Sequence, residues 1–241
     1  MVIWLLLFFI VILISFVLAI RSLRHYRENP ARLGVTFSLY LIQNTSALTE
    51  SLLEELNREV LEKRLVISFE RLYKGDKKAL IIYGPSLLLT NRVEKLGLLE
   101  LEDYAIRTHL HTQALEIGVK ANADFQATNF HLAVDRIGLQ DQEQLWWQVI
   151  VQPQIKNKGE IELNSLIRVV IHTQEVSRLA QIQGLLMSGL EESHLTRLPQ
   201  THSSKQILKF YKERVAFRPF STNKESLLLN LNDLFGLISI A

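Results

Sequence analysis

The 241-residue sequence contains no cysteine, which excludes disulfide staples and thiolate metal sites and agrees with a reducing compartment without requiring one. Glycine and proline are scarce, at 10 and 5 residues, too few for a collagenous or disordered chain, so most of the polypeptide must fold around a core. Neither sign of charge dominates. The 27 Lys and Arg stand against 25 Asp and Glu, which leaves no global field to attract nucleic acid. Catalytic signatures are missing as well. No clustered glycines lead into a helix carrying Lys and Ser or Thr, as a phosphate cradle requires, and Tyr83-Gly84-Pro85-Ser86 reads as a turn that starts a helix. No Gly-x-Ser-x-Gly elbow holds a nucleophile at a strained turn.

What is present begins with an apolar run. Met1 to Ile20 is apolar apart from Ser15, long enough as a helix to span the roughly 30 Å of a hydrocarbon core. Arg21, Arg24, His25 and Arg27 follow it and no charged side chain precedes it, so the positive-inside bias points the remainder into the cytoplasm. Val17-Leu18-Ala19 would serve as a signal-peptide cleavage site. Against that reading, the run exceeds the roughly 7 to 15 residues of such a core and lacks a basic leader. The expectation is an uncleaved single-pass anchor in the inner (cytoplasmic) membrane, with the N-terminus outside and the C-terminal domain cytoplasmic. Trp4, Arg21, Arg24 and Arg27 would meet the membrane interface.

Residues 21–32 read as a basic juxtamembrane linker ending in Asn29-Pro30. From Val35 to Leu41 alternate residues are apolar, the period of a half-buried strand, and Leu48, Leu52, Leu53, Leu56, Val60 and Leu61 then recur at helical spacing after Asn44-Thr45-Ser46. Strands at Leu65 to Tyr73 and Ala79 to Tyr83 flank a turn at Lys74 to Lys77. A second helix runs from Ser86 to Lys95 and stops at Gly97, and Leu98 to Tyr104 is extended. The order is β-α-β-β-α-β, the split βαβ arrangement. It recurs with strands at Leu110 to Val119, Leu145 to Gln152 and Leu163 to Thr173, a turn at Asn157-Lys158-Gly159, and helices at Phe130 to Ile137 and Glu175 to Glu192. Helices around Ile207 to Arg214 and beyond Asn230 complete the chain. The expected fold is therefore α+β: a transmembrane helix (1–20), the linker (21–32), two tandem ferredoxin-like units with antiparallel sheets (33–104 and 105–200) and a helical tail (201–241).

Candidate chemistry is sparse. His109 and His111 lie two apart on a strand and so share a face, as two metal ligands would, but Glu102 and Asp103 do not obviously converge on them and no third ligand offers itself. His172 on an apolar strand reads as a satisfied core or edge histidine. Lys63, Arg64, Arg71, Lys74, Lys77 and Lys78 surround the first hairpin, with Phe69, Tyr73 and Tyr83 interleaved. The aromatic string of RNA-recognition sheets is absent, so a solvated edge or a headgroup contact is the better reading. Trp146 and Trp147, adjacent on a strand, send one indole to each face; one fills the core and the other needs a cover, from within the chain or from a partner. The apolar end, including Leu234 and Phe235, must dock on the body or on a neighbour.

Three strings resemble the membrane-anchored N-terminal, pre-ATPase regions of type IV secretion and conjugation-like proteins of candidate phyla radiation bacteria. They are the extended segment at Val35 to Ile42 with the helix at Leu48 to Leu61, then Gln144-Leu145-Trp146-Trp147-Gln148-Val149-Ile150-Val151-Gln152-Pro153, and Leu228-Leu229-Asn230-Leu231-Asn232-Asp233-Leu234-Phe235. The sequence carries no Walker-type loop where that family continues into an ATPase domain. The resemblance implies a non-enzymatic docking component, without cofactor or metal, that positions a separate ATPase at the membrane. Its expected partners are the lipid bilayer and other secretion-machinery proteins, with self-association left open, and Trp146, Trp147, Leu234 and Phe235 are the candidate docking residues. The alternative is a membrane-bound scaffold or sensor whose α+β domains bind lipid headgroups or a ligand.

Overall fold

The computed structural model describes residue 15 and residues 35–103, 110–119, 134–155, 160–198, 202–214 and 227–238. Segments rich in Leu, Ile and Val become β1 (Phe37–Ile42), β2 (Ile67–Lys74), β3 (Lys77–Pro85), β4 (Leu98–Leu101), β5 (His111–Val119), β6 (Gln144–Ile155), β7 (Ile161–Thr173), β8 (Leu195–Arg197) and β9 (Leu227–Leu229). The helices are α1 (Glu50–Glu62), α2 (Ser86–Thr90), α3 (Val93–Leu96), α4 (Val176–Glu192), α5 (Ser204–Lys212) and α6 (Leu231–Ile238).

The strands form one nine-stranded antiparallel sheet in the order β4-β1-β3-β2-β6-β7-β5-β8, with β9 added to β7. This corrects the expectation of two tandem ferredoxin-like units with their own sheets. From either edge inward the strands of each half come fourth, first, third, second, but the second strands of the halves, β2 and β6, pair with each other from Ile67↔Val151 to Lys74↔Gln144. The sheet therefore crosses the expected boundary at residue 104 without a break, and β9 belongs to neither unit. The physical reason is burial: Phe69, Trp147, Val149 and Ile150 on the two strands are 0 % exposed, and strands this apolar left as edges would invite pairing with another chain.

The single-pass, inner-membrane placement is corrected as well. Among the described residues no helix is long and apolar enough to cross a membrane. Apart from Ser15, the run at residues 1–20 lies outside the described residues, as do the interface residues Trp4, Arg21, Arg24 and Arg27.

One face of the sheet carries the main core. Alternation in the strands turns Phe69, Trp147, Val149, Ile167 and Val169 toward a layer made by α1, α4 and α6, which contribute Leu53, Leu56 and Val60, Ile182, Leu186 and Leu190, and Leu234, Leu237 and Ile238. Each such side chain contributes about 1.5–3 kcal/mol relative to remaining in water. Thr49, not Asn44-Thr45-Ser46, caps α1 by accepting from the Leu52 N–H at 3.3 Å, while Thr45–Ala47 forms a 3-10 turn. The single helix expected from Ser86 to Lys95 is broken in two. The Thr90 hydroxyl donates to the Ser86 carbonyl at 2.8 Å and the Arg92 guanidinium to the Leu88 carbonyl at 2.7 Å, so side chains take acceptors that a continuing helix would use. Gly97 then ends α3 at φ +58°, as its place in the sequence requires.

The opposite face is covered over β5 and β7 by α5, through a smaller cluster of Ala114, Trp146, Val170, Ile207 and Tyr211. A reciprocal capping box starts α5: Ser203 accepts from the Gln206 N–H at 3.3 Å and the Gln206 side chain accepts from the Ser203 N–H at 3.0 Å. Asn230 and Asp233 make the same exchange at the start of α6, at 2.8 and 3.1 Å.

Candidate functional site

Beneath α5 the sheet carries a row of polar side chains that the strand registers line up. Glu70 of β2 is opposite Gln148 of β6, Gln148 is opposite Arg168 of β7, and Arg168 is opposite Glu116 of β5. All four are buried. Cross-strand neighbours sit about 5 Å apart, close enough for each to bond the next. The Gln148 amide donates to Glu70 Oε1 at 3.0 Å, Arg168 Nη1 donates to Gln148 Oε1 at 3.3 Å, and Arg168 Nε donates to Glu116 Oε1 at 3.1 Å. Burying charges without such partners would cost several kcal/mol per ion.

The row also grips the end of α5. The last carbonyls of a helix lack intrahelical donors. Here the Gln148 amide donates to the Tyr211 carbonyl at 2.9 Å and Arg168 Nη1 to the Phe210 carbonyl at 3.1 Å, so cation and helix dipole attract. Arg214, just past the helix, returns to the sheet. Its Nε donates to Glu70 Oε1 at 2.8 Å, its Nη2 to Asp103 at 3.1 Å, and its guanidinium lies 4.7 Å from the Tyr83 ring centroid. Arg214 has φ +48°, a left-handed conformation normally given to glycine after a helix. Glu70 and Glu116 thus balance Arg168 and Arg214. Burial pushes the Tyr83 hydroxyl up, with Glu70 and Asp103 acting in the same direction and Arg214 against them. At the other end of α5, the Ser204 hydroxyl accepts the Ala114 N–H of β5 at 2.7 Å.

His172 lies two residues along β7 from Val170, on the same face of the sheet. Its ring is 4.3 Å from that of Trp146, Nδ1 is 2.8 Å from the Thr112 hydroxyl, and Nε2 has no hydrogen-bond partner among the described residues. Burial holds its pKa down at about 4. A cavity of about 360 Å³ opens elsewhere, lined by Gln140, Asp141, Gln142, Glu143, Gln174, Glu175 and Arg178. Burial pushes the Glu143 carboxyl up, but hydrogen bonds from Arg178 and the Gln140 N–H and the Arg178 charge outweigh it and leave the carboxyl below its usual range.

The structure distributes the sequence candidates differently from one another. Trp147 is fully buried in the main core, and Trp146 is covered by α5, a segment of the same chain. Leu234 is buried and Phe235 packs partly buried against the main core. His109 lies outside the described residues and His111 is exposed. Among the described residues no group of three or more His, Asp or Glu could hold a metal. The basic cluster divides: Lys63 and Arg64 precede β2, Lys74 ends it and Lys77 opens β3 about 25 Å away, Arg71 is buried against the Tyr73 ring, and Lys78 pairs with Asp135 at 2.8 Å. The polar row escaped the sequence reading. Its legible signal was Arg168 inside Leu166-Ile167-Arg168-Val169-Val170-Ile171, a charge where a buried strand admits none without a partner.

No protein-family model matches this chain and no curated protein does.

Proposed function

We propose that the chain is a non-enzymatic docking component of a secretion- or conjugation-like apparatus, positioning a separate ATPase through the outer part of its sheet. The observation that carries this reading is a group of three leucines at the β4 edge, Leu41, Leu99 and Leu101, that stay open beside the buried Leu39. Leu39 pairs with Leu101 and Leu41 with Leu99 across β1 and β4, so all four share the face opposite α1. Leu99 is 50 % exposed, and Leu41 and Leu101 are partly exposed. The helix α5 on that face lies over β5 and β7, and of the described residues after it Arg214 reaches Tyr83, opposite Leu39, and Asp103, two residues past Leu101. Leu39 is buried, and the three apolar side chains left open beside it favour an interface.

The sequence resemblance supports the class of partner. Its three strings fall on β1 with α1, on β6, and on β9 with α6, and α1 packs against both β6 and α6; strings that resemble a family and pack together are what a shared fold needs. Fully partnered charges in the polar row support a structural use of those groups rather than proton transfer. Co-expression with a conjugation-class ATPase of the same genome tests the reading. The expected result is a complex that survives purification and that Leu99→Asp weakens at least about tenfold with the circular dichroism spectrum unchanged, since a half-exposed site tolerates the charge in the free chain. Failure to recover the ATPase, or binding indifferent to Leu99→Asp and Leu41→Asp, would refute it.

A further inference from the structure

We propose that α5 with Arg214 is a releasable latch: the sheet surface beneath it is a built receptor for the end of a helix, and the helix leaves that receptor as a unit while the nine-stranded sheet and the α1, α4, α6 layer stay folded. Three features argue for it. The first is separation, because Ile207 and Tyr211 pack with Ala114, Trp146 and Val170 in a cluster distinct from the main core. Losing this contact removes nothing from the layer that holds the sheet together.

The second is the kind of bonding. At its C-terminal end the helix offers the receptor backbone carbonyls, from Phe210 and Tyr211, and one cation, Arg214. The receptor supplies matching groups already held by one another: Arg168 is fixed by Glu116 and Gln148, and Gln148 by Glu70. When the helix leaves, Arg168 keeps Glu116 and the row can take water in place of the carbonyls. The apolar part of the seat, Ala114, Trp146 and Val170, opposes release with its own area; the polar row is the part with this second state.

The third is the reach of Arg214. Arg64 and His194 take the same left-handed conformation just past α1 and α4, so the backbone does not set Arg214 apart. What does is its guanidinium, which reaches Glu70, 0 % exposed, as well as Asp103 and the Tyr83 ring. The helix itself is equipped to survive release, since the Ser203 and Gln206 capping box and the Lys209 and Lys212 charges in its last turn are internal to it.

Hydrogen–deuterium exchange of the full chain, resolved by peptide, tests the latch. Arg214→Gly keeps the left-handed helix end and deletes the clasp. The expected result is that amides of residues 204–212, and the Ala114 amide that donates to Ser204, exchange roughly a hundredfold faster while those of β6, β7 and α1 keep their rates, as for sub-global opening. Asp103→Asn, at a half-exposed partner that leaves Glu70 paired, should give a smaller increase confined to the same residues. Addition of a synthetic peptide with the sequence of residues 203–214 should restore slow exchange at β5 around Ala114 in the Arg214→Gly chain, and the same peptide with glycine in place of the arginine should not. Parallel acceleration of α5 and of β6 and β7 in both variants would show that the helix is part of the global fold, and unchanged exchange in both would show that the clasp does not hold it; either overturns the proposal.

Discussion

Acidification should weaken this fold in a window that one buried ring sets. His172 is 1 % exposed, and burial holds its pKa at about 4 against an ordinary 6.5. In the unfolded chain the ring takes a proton as the pH falls through 6.5; in the folded chain it resists until about 4, so over that interval the unfolded state binds more protons and stability rises with pH. The contribution is present in full above pH 6.5, is lost progressively below it, and stops falling once the folded ring is charged. At 1.36 kcal/mol per unit, the loss is about 2 kcal/mol by pH 5 and about 3 kcal/mol by pH 4. Around the ring stand Thr112 of β5, Trp146 of β6 and, through Trp146, Tyr211 of α5. Urea denaturation of the wild type and of His172→Phe, which keeps an aromatic ring beside Trp146, isolates the effect. The wild-type curve should fall relative to the variant by that amount between pH 7 and 4, and parallel curves between pH 7 and 5 would refute the reasoning. Glu143 is separable from it: with its carboxyl held below the usual range, its share of stability is present above the ordinary carboxylate value and is lost only as the pH falls below that.

Other expected outcomes concern stability. Gly97→Ala places a Cβ at φ +58° and 3.3 Å from the Gln43 Cβ, and should cost about 1–2 kcal/mol in the urea midpoint. Arg168→Met removes the buried cation that donates to Glu116 and should cost about 3–5 kcal/mol; the double variant with Glu116→Leu should recover a large part of it, and strict additivity in the double-mutant cycle would show that the pair is not coupled.

Local structure was legible wherever a side-chain period was clean. The leucines of α1 and the alternation of β1 set those elements to within a few residues, the short apolar stretches of β2, β3 and β7 located theirs, and Gly97 marked its helix end. Two short strands, β8 (Leu195–Arg197) and β9 (Leu227–Leu229), left too few residues for a period to show. What the sequence could not reveal was the seam. Whether β2 ends a small sheet or joins β6 depends on partners about eighty residues apart, and periodicity carries no information about pairing at that distance. The same limit hid the site: Arg214 meets Glu70 across 144 positions, and nothing local to either predicts it. Trp146 was more tractable, because two adjacent tryptophans on one strand required a cover on each side, and α5 supplies the second.

The seam and the polar row also bear on where this molecule can move. A hinge between the halves would need the sheet to part at β2 and β6, but these strands pair over the full length of β2, and Trp147 is fully buried there. The row crosses the same seam. Because alternate residues face opposite sides, slipping β6 by one position against β2 would swing Gln148 into the main core and Trp147 out toward α5, leaving Glu70 and Arg168 without the amide that connects them. Register across β2, β6, β7 and β5 is thus fixed from both faces at once, by apolar volume on one and by charge on the other. Bending between the halves is opposed by both. The element whose contacts can be exchanged without disturbing that register is α5, since it touches the row through carbonyls at its end and through Arg214 just beyond it.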